Sequence, residues 1–411
     1  MTSLLIDNIG ELTTNDDGVE VGGRLHNAAI VIEGERVAWV GAAANAPATD
    51  EQFDAGGRAV LPGWVDSHTH MVFAGDRTAE FEARMAGETY AAGGINVTVD
   101  ATRAATDTAL SENLARLIAE ARRGGTTTIE TKTGYGLTVD DEVRAARIAS
   151  EHVDAVTFLG AHVVPRGSDP TAYLDLVTGP MLAAVAPHVS AVDVFCETGA
   201  FDEVATRRVL ETARAAGLAT RVHGNQLGHG PGALLAVEYG SLSVDHLGFL
   251  SPADFDALAG SWSGWEARSG SSPRGTVATV LPACDLSTRM PLAPARELLD
   301  AGVVLAIASN CNPGTSYTSS MGFSVATAVL QMGLTITEAV RAATLGGAIA
   351  LGMHMDGWID PRGITQAAVG RIAPGSRADL QLLEAPSITH LAYRPGMPLT
   401  SAVWRAGTRV M

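Results

Sequence analysis

PGWVDSHTHMVFAGDR, residues 62–77, decides the fold, because a hydrophobic run of the buried type ends there in two histidines. One residue separates His68 from His70, and strand side chains repeat with a period of two, so both imidazoles point to the same side. Two neighbouring nitrogen ligands are half of a zinc-type site. The motif alone is weak, since two histidines can also cap a strand end with satisfied hydrogen bonds.

The middle of the chain alternates strand-like runs with helix-length segments such as 140–152 and 201–217. This alternation is typical of βα units that build a parallel sheet. Eight candidate strands are short and rich in apolar and β-branched residues: 59–68, 126–132, 155–162, 191–197, 219–225, 241–247, 276–282 and 303–310. Eight units over about 250 residues close into a barrel. We therefore predict an α/β fold with a (β/α)8 TIM-type barrel.

Both ends of the chain consist of short alternating runs broken by Gly, Asn and Asp, which indicates small antiparallel strands. We predict that residues 1–57 and 365–411 meet in a small β-sandwich domain, and that residues 58–364 form the barrel. The Gly/Ser-rich loop 260–275 lies on the barrel face opposite the strand ends. Trp262 and Trp265 are therefore expected in a packing or subunit contact, with a plain surface loop as the alternative.

Composition excludes several classes of function. The net charge of −17 would repel a nucleic-acid backbone or an anionic membrane, so neither is an expected partner. The three cysteines are far apart and form no CxxC motif, which favours a reducing compartment. The first residues lack a basic region and a sustained apolar core, so we expect no signal peptide or membrane span and a cytoplasmic location.

Five of the eleven histidines fall at predicted carboxyl ends of strands: His68, His70, His162, His223 and His246. In a closed βα barrel these ends converge on one mouth, which is where such folds place catalysis. A scaffold protein would have no reason to collect histidines there. The distribution therefore predicts a metal-binding and catalytic site at the mouth.

Several motifs beyond the first strand resemble those of the imidazolonepropionases in the amidohydrolase superfamily. They are ETKTGYGL (130–137), GAHVVP (160–165), ETGAF (197–201), VHGNQL (222–227), VDHLG (244–248) and SNCNPGT (309–315). The resemblance covers nearly the whole barrel and both flanking β segments. It implies a hydrolase that opens the cyclic amide of 4-imidazolone-5-propanoate to N-formimino-L-glutamate in histidine catabolism.

The resemblance also implies roles for individual residues. His68, His70 and His223 would bind one divalent metal ion, with position 310 completing the shell. His246 would move protons at the attacking water and the tetrahedral intermediate. Substrate-binding positions are implied for Arg77, which faces the carboxylate, for Tyr135, His162 and Gln226, which frame the ring and acyl chain, and for Asn312, Gly314 and Thr315 in the following loop.

The chemistry supports these roles independently. A metal lowers the pKa of bound water from near 16 to about 7 and polarises a carbonyl, and a general base must then carry the proton to the leaving nitrogen. A guanidinium fork fits a carboxylate bidentately, although a surface ion pair is the alternative for Arg77. Tyr135 and His162 can equally be core or rim. Lys132, the only lysine, ends the second predicted strand and not the fourth, so a lysine-bridged binuclear centre is not expected.

Position 310 departs from the family pattern, which has Asp before x-Asn-Pro-Gly, because this chain reads Asn310-Cys311-Asn312-Pro313-Gly314. An amide oxygen can coordinate a metal, but it is neutral and is no base at neutral pH. Three outcomes remain open from the sequence: a slower enzyme in which His246 is the sole base, an inactive binding paralogue, or a substitution introduced to trap a ligand.

Two further functional classes remain open. One is another mononuclear amidohydrolase, such as a deaminase acting on a cyclic amidine or a purine, and the other is a metal-free binding module on the same barrel. Imidazole ligands suit zinc, iron and nickel alike, so the expected cofactor is one divalent metal ion, zinc or iron. The resemblance also implies a homodimer and a small-molecule substrate that carries a carboxylate.

Overall fold

The computed structural model describes residues 2–16, 23–87, 94–265 and 275–411, and both ends of the chain meet in one mixed sheet. Its eight strands come from the two termini: β1 (Ser3–Thr13), β2 (Arg24–Glu33), β3 (Arg36–Ala42), β4 (Glu51–Asp54), β5 (Ala59–Pro62), β16 (Leu380–Leu383), β17 (Thr400–Arg405) and β18 (Thr408–Arg409). They follow the order β18-β17-β16-β5-β1-β2-β3, with β4 paired to the start of β1. A bulge at Asn8, φ +53°, lets β1 pair with β4 before it and with β5 after it.

Eight parallel strands form the barrel in sequence order: β6 (Trp64–Asp66), β7 (Thr126–Lys132), β8 (Ala155–Ala161), β9 (Ala191–Cys196), β10 (Ala219–Gly224), β11 (Ser243–His246), β12 (Val277–Val280) and β13 (Leu305–Ile307). The first and last strands meet just beyond their ends, where Asn310 N donates to His68 O at 3.0 Å and His70 N donates to Cys311 O at 2.9 Å. Asp66 adds a side-chain tie by accepting from the backbone and hydroxyl of Ser309. The predicted barrel with a small β domain is confirmed.

The predicted strand 59–68 is wrong as a single element. Residues 59–62 form β5 of the terminal sheet, and the barrel begins only at β6, after Gly63. The chain passes so close to β7 at this point that a Cβ on Gly63 would lie 2.2 Å from Thr127 Cγ2. The hydrophobic run therefore serves two sheets, and glycine permits the close passage between them.

The helices that surround the barrel begin at favourable capping residues. Thr106, Thr138, Asp169 and Asp202 each accept a hydrogen bond from a backbone N–H of the first turn. The helices of the described residues are α1 (Thr78–Met85), α2 (Ile95–Ala104), α3 (Asp107–Arg123), α4 (Val139–Ser150), α5 (Pro170–Leu176), α6 (Leu182–Val185), α7 (Glu203–Ala215), α8 (Gly232–Glu238), α9 (Pro252–Ser261), α10 (Pro282–Thr288), α11 (Ala295–Asp300), α12 (Met321–Gln331), α13 (Ile336–Arg341), α14 (Gly347–Leu351) and α15 (His390–Tyr393). In these segments no helix combines the length and apolar character needed to cross a bilayer. A small hairpin, β14 (Trp358–Ile359) and β15 (Thr365–Gln366), follows α14.

The tryptophans of the 260–275 loop pack against the end of α9. The Trp262 side chain is buried and donates from Nε1 to Thr276 O at 3.0 Å, and the ring of Trp265 meets it edge-on with centroids 4.8 Å apart. Residues 266–274 of the predicted loop lie outside the described part of the chain. Within that part, these two side chains serve as packing groups.

A buried ion cluster joins the barrel to the terminal sheet at the amino ends of the barrel strands. Arg377 contacts Asp379 at 2.6 Å and Asp154 at 3.1 Å, and Arg405 contacts the same Asp154 oxygen at 2.8 Å. Burial alone would raise the pKa of Asp154, but the two arginines outweigh it and lower that pKa. We refer to these four residues as the basal ion cluster, because the carboxyl ends of the strands lie at the opposite end of the barrel.

Candidate active site

Four histidines from three barrel strands converge at the carboxyl end of the barrel. His70 Nε2 lies 3.2 Å from His68 Nε2 and 3.4 Å from His223 Nε2. Potential ligand atoms of His68, His223 and His246 also lie within 4.8 Å of one another. All four histidines are at least 97 % buried, so solvent does not screen the interactions among their imidazoles. The sequence placed these residues at one mouth, and the structure brings their ring nitrogens together.

Carboxylates orient two of these rings from behind. Asp245 Oδ2 lies 2.7 Å from His68 Nδ1, and Asp193 Oδ1 lies 3.0 Å from His223 Nδ1. A carboxylate on one ring nitrogen fixes the tautomer that leaves the other nitrogen free to bind a metal. The contact of His223 has ion-pair distance without hydrogen-bond alignment. The sequence analysis did not single out Asp193 or Asp245, although each is a charged residue inside an otherwise apolar strand.

Burial disfavours the charged forms of His68, His70, His246 and His162. It lowers the pKa of His68, His70 and His246 well below the ordinary value, and nearby cationic or imidazole groups lower these pKa values further. Burial and His223 lower the pKa of His162 to about 4. A histidine must be neutral both to coordinate a metal and to accept a proton, so the site is ready for either task at neutral pH.

Asn310 presents its amide oxygen to the same region. Its Oδ1 is buried, and no described group donates a hydrogen bond to it. Burial raises the pKa of the neighbouring Cys284 thiol to about 12, although side-chain hydrogen bonding from Thr315 and Asn310 opposes the rise. Cys284 is a third residue that the sequence analysis did not single out.

The donor set fits a divalent metal ion. Ligands arranged tetrahedrally about 2.0–2.1 Å from zinc lie about 3.3 Å from each other, which is the spacing of the Nε2 atoms around His70. An unsatisfied amide oxygen beside them supplies a fourth, neutral donor. These observations support one metal ion at the mouth of the barrel.

A second group of potential ligands lies beside the first and shares His246. It consists of His246, Cys284 and Asp285, whose ligand atoms lie within 4.8 Å of one another. Burial raises the pKa of the Asp285 carboxyl to about 8 and that of the Cys284 thiol to about 12. Both groups therefore remain protonated at neutral pH, and a metal would have to displace both protons. The histidine cluster is the better metal site.

A cavity of about 70 Å³ opens over the histidines. Most residues that the sequence assigned to the substrate line it: Arg77, Tyr135, His162, Gln226, Asn312 and Thr315. Gly314 does not line the cavity but lies under Arg77, because a Cβ there would meet Arg77 Nη1 at 2.0 Å. His162 stacks on His70 with an interplanar angle of 24°, and its Nδ1 lies 3.0 Å from Gly134 O. The cavity thus collects a cation, aromatic rings and amides above the metal ligands.

Two of these side chains already have partners in the protein. The guanidinium of Arg77 donates from Nε and Nη2 to the two oxygens of Glu80, at 2.8 and 2.7 Å, which leaves Nη1 for a ligand. Asn312 accepts from the backbone N–H of Gly314 and Thr315 and donates to Asn310 O, so its amide organises the loop. The turn that holds Gln226 is tied in the same way, since Glu197 accepts from the Gln226 N–H.

Backbone strain concentrates at this end of the barrel. His246 has φ +88°, Leu247 φ +67°, Asn225 φ +56° and Asn310 φ +53°. Such conformations are unfavourable for residues other than glycine and persist where the surrounding structure enforces them. Here they turn the chain sharply at the strand ends, so that side chains point into the cavity.

A (β/α)8 barrel with a histidine cluster at its mouth defines the class, the metal-dependent amidohydrolases. Imidazolonepropionase from Paenarthrobacter aurescens strain TC1 is 64% identical over 409 residues, covering 100% of this chain and 98% of that protein. Imidazolonepropionase from Saccharopolyspora erythraea is 62% identical over 410 residues, covering 100% and 99%. The chain belongs to the imidazolonepropionase family and is a hydrolase of cyclic amides.

Solved structures show the same fold at much lower sequence identity. An adenosine deaminase from Xanthomonas campestris with bound zinc has a TM-score of 0.70 at 19% identity, covering 99% of this chain and 92% of that one. An atrazine chlorohydrolase from Arthrobacter aurescens TC1 in complex with zinc has a TM-score of 0.69 at 17% identity, covering 99% and 95%. No protein-family model matches the chain.

Proposed function

We propose that the chain hydrolyses the cyclic amide of 4-imidazolone-5-propanoate to N-formimino-L-glutamate in histidine catabolism, using one zinc or iron ion and water. One observation carries the proposal: His70 Nε2 lies 3.2 and 3.4 Å from the Nε2 atoms of His68 and His223, on the floor of a cavity that Arg77 borders. The metal ligands are His68, His70, His223 and Asn310. The family relationship supports the substrate, and the location that fits this pathway is the cytoplasm.

A metal bound by His68, His70, His223 and Asn310 would polarise the lactam carbonyl and make water acidic enough to attack near neutral pH. His246 would accept a proton from the attacking water and return it to the leaving ring nitrogen. Its imidazole is neutral because burial lowers its pKa, and its position within 4.8 Å of His68 and His223 brings it to the reacting atoms. Asp245, the preceding residue, points to His68, so one strand end carries both a ligand-orienting group and the base.

Arg77 binds the propionate carboxylate through the nitrogen that Glu80 leaves free. Glu80 fixes the plane of the guanidinium, and Gly314 leaves room for it. Tyr135 and His162 pack against the substrate ring. Both side chains lie at the cavity wall, and the centroids of their own rings are 5.5 Å apart. Gln226 faces the nitrogens and carbonyl of the substrate ring, because within the described part of the chain its amide nitrogen has only a weak contact, to Cys284 Sγ at 3.9 Å. Asn312 and Thr315 shape the loop beside the carboxylate.

Asn310 leaves the enzyme active with His246 as its only base. The oxygen of Asn310 is buried without a described hydrogen-bond donor, at the wall of the cavity that His70, His223 and His246 also line. We expect a rate about 10²- to 10⁴-fold lower than a carboxylate would allow. Measurable turnover of the wild-type chain separates this proposal from the inactive-paralogue and ligand-trap alternatives.

The chain is further organised as two domains and a homodimer. We propose that residues 1–57 and 365–411 make up the small β domain and that residues 58–364 make up the catalytic barrel. The pairing of β5 with β1 and β16 supports extending the first part of the β domain to Pro62. Sedimentation equilibrium would test the dimer, and a monomer at micromolar concentration would contradict it.

Metal quantification combined with an assay of imidazolonepropionate consumption tests the proposed function. We expect close to one equivalent of zinc or iron and turnover that stops when a chelator removes the metal. A cyclic amidine without a carboxylate is the control substrate, and Arg77→Ala should impair only the reaction of the charged substrate. Equal losses on both substrates would contradict the assignment of the carboxylate to Arg77, and turnover without metal would contradict the mechanism.

A further inference from the structure

Lys132, the only lysine of the chain, lies fully buried near the histidine cluster. Its Nζ contacts Glu130 Oε1 at 2.9 Å and Asp193 Oδ2 at 3.0 Å. All three side chains have no solvent exposure. We call Glu130, Lys132 and Asp193 the lysine clamp, because a single ammonium holds two carboxylates.

The second oxygen of each carboxylate reaches a segment that carries metal ligands. Glu130 Oε2 accepts from Thr69 N at 3.1 Å, and Thr69 is the residue between His68 and His70. Thr69 returns a hydrogen bond from its hydroxyl to Glu130 O at 2.7 Å. One arm of the clamp therefore fixes the backbone between two ligands.

The other arm fixes the third ligand. Asp193 Oδ1 accepts from His223 N at 3.1 Å and lies 3.0 Å from His223 Nδ1. A carboxylate in this position orients the ring of His223 and raises its basicity as a ligand.

We propose that Lys132 is a positioning residue that sets the metal affinity of the site. Its ammonium joins the two carboxylates that hold the His68-Thr69-His70 segment and His223 in register, so the three ligand nitrogens are preorganised before a metal arrives. The inference rests on the proposed function in one respect, namely that these histidines hold a divalent metal. It concerns no chemistry of the substrate.

The basal ion cluster shows what a purely structural arrangement of the same kind looks like. Arg377 is also buried and also bridges two carboxylates, Asp154 and Asp379. These carboxylates also accept hydrogen bonds at the junction of barrel and terminal sheet, for example from Ile129 N and Ala406 N. Arg377 is therefore a matched control for burial and charge.

The test is a zinc titration of the metal-free full-length protein in competition with a chromophoric chelator. Wild type, Lys132→Met and Arg377→Met are compared, and the thermal midpoint of each metal-free protein is recorded. We expect Lys132→Met to raise the Kd for zinc about 10- to 100-fold, the usual worth of such orienting contacts. Arg377→Met should lower the thermal midpoint and leave the Kd unchanged.

The outcomes separate the clamp from the proposed function. An unchanged Kd in folded Lys132→Met, or an equal rise in Arg377→Met, overturns the clamp alone. A wild-type protein that binds no zinc overturns the metal centre and the clamp with it. If Lys132→Met does not fold, Glu130→Gln replaces it, because this variant keeps the ammonium and the size of the side chain but weakens one arm. A smaller rise in Kd is then expected, and no rise overturns the proposal.

Discussion

The mouth and the base of the barrel both bury charged and polar side chains. Those at the base are paired with one another, whereas several at the mouth are not. At the base, Arg377, Arg405, Asp154 and Asp379 satisfy one another with contacts of 2.6–3.1 Å. At the mouth, the atoms Nδ1 of His70, Nδ1 of His246 and Oδ1 of Asn310 are buried without a described hydrogen-bond partner. Unsatisfied buried polar atoms are costly, so a fold retains them where a ligand completes their bonding.

The contrast separates stability from function. The base joins two sheets through paired charges, and breaking such a pair leaves an uncompensated charge. At the mouth, His246 and Asn310 instead adopt left-handed backbone conformations, which direct their side chains into the cavity. Substitutions at the mouth should therefore change activity and metal binding more than folding, and substitutions at the base should do the reverse.

The largest expected effect belongs to His246. His246→Gln removes the proposed base, and we expect kcat to fall about 10²- to 10⁴-fold with the metal content unchanged. Steady-state kinetics and metal analysis of the same preparation check this. His152→Gln is the control, since His152 bonds to Ser111 away from the mouth. Loss of the metal together with activity would show that His246 is a ligand and not the base.

A carboxylate at position 310 should have the next largest effect. Asn310→Asp adds a charged ligand and a second proton acceptor, and we expect kcat to rise about 10²-fold. Asn225→Asp is the matched control, because Asn225 also has a positive φ at the mouth, but its side chain donates to Gly230 O and Phe249 O and accepts from Ala233 N at the start of α8. No gain over wild type would mean that position 310 does not limit turnover.

Displacing Arg77 without removing it should have a smaller effect. Gly314→Ala places a Cβ against the guanidinium, so we expect KM for imidazolonepropionate to rise about 10-fold with little change in kcat, as for one weakened charged hydrogen bond. Gly322→Ala, where a Cβ meets nothing within 4 Å, should leave KM unchanged. A fall in kcat at constant KM would contradict a pure binding role for Arg77.

A separate effect should appear in the pH dependence of stability, with opposite signs at the two ends. Asp285 at the mouth has a folded pKa raised by burial to about 8, so its contribution is present at low pH and is lost as pH rises from the ordinary value of 3.8 towards 8. Asp154 at the base has a lowered pKa, so its contribution is present above pH 3.8 and is lost on acidification.

Denaturant unfolding at several pH values measures both slopes. Asp285→Asn should remove about 1 kcal/mol per pH unit of the decline between pH 4 and 8, and Asp154→Asn should flatten the acid limb below pH 4. Equal slopes in wild type and Asp285→Asn would show that this carboxyl is already ionised in the folded protein.

The sequence predicted the mouth better than the groups behind it. Histidines at strand ends are visible as a pattern, and the motifs around them identified the family. Asp193 and Asp245 were missed because a charged residue inside an apolar strand does not reveal which ring it orients. Their positions in the strands were the available signal. Asp245 precedes His246 and pairs with His223 of the neighbouring strand, and Asp193 lies two residues before the partner of His223 in the strand on the other side. The split at Gly63 was missed because β5 and β6 form one hydrophobic run, and only tertiary pairing divides it.

The central claim is that His68, His70 and His223 share one metal ion with Asn310. Anomalous diffraction at the zinc and iron absorption edges, from crystals of the protein as purified, tests it most directly. The account predicts a single peak about 2.0–2.2 Å from the three Nε2 atoms and from Asn310 Oδ1. A peak held instead by His246, Cys284 and Asp285, or no peak among the three imidazoles, would contradict it.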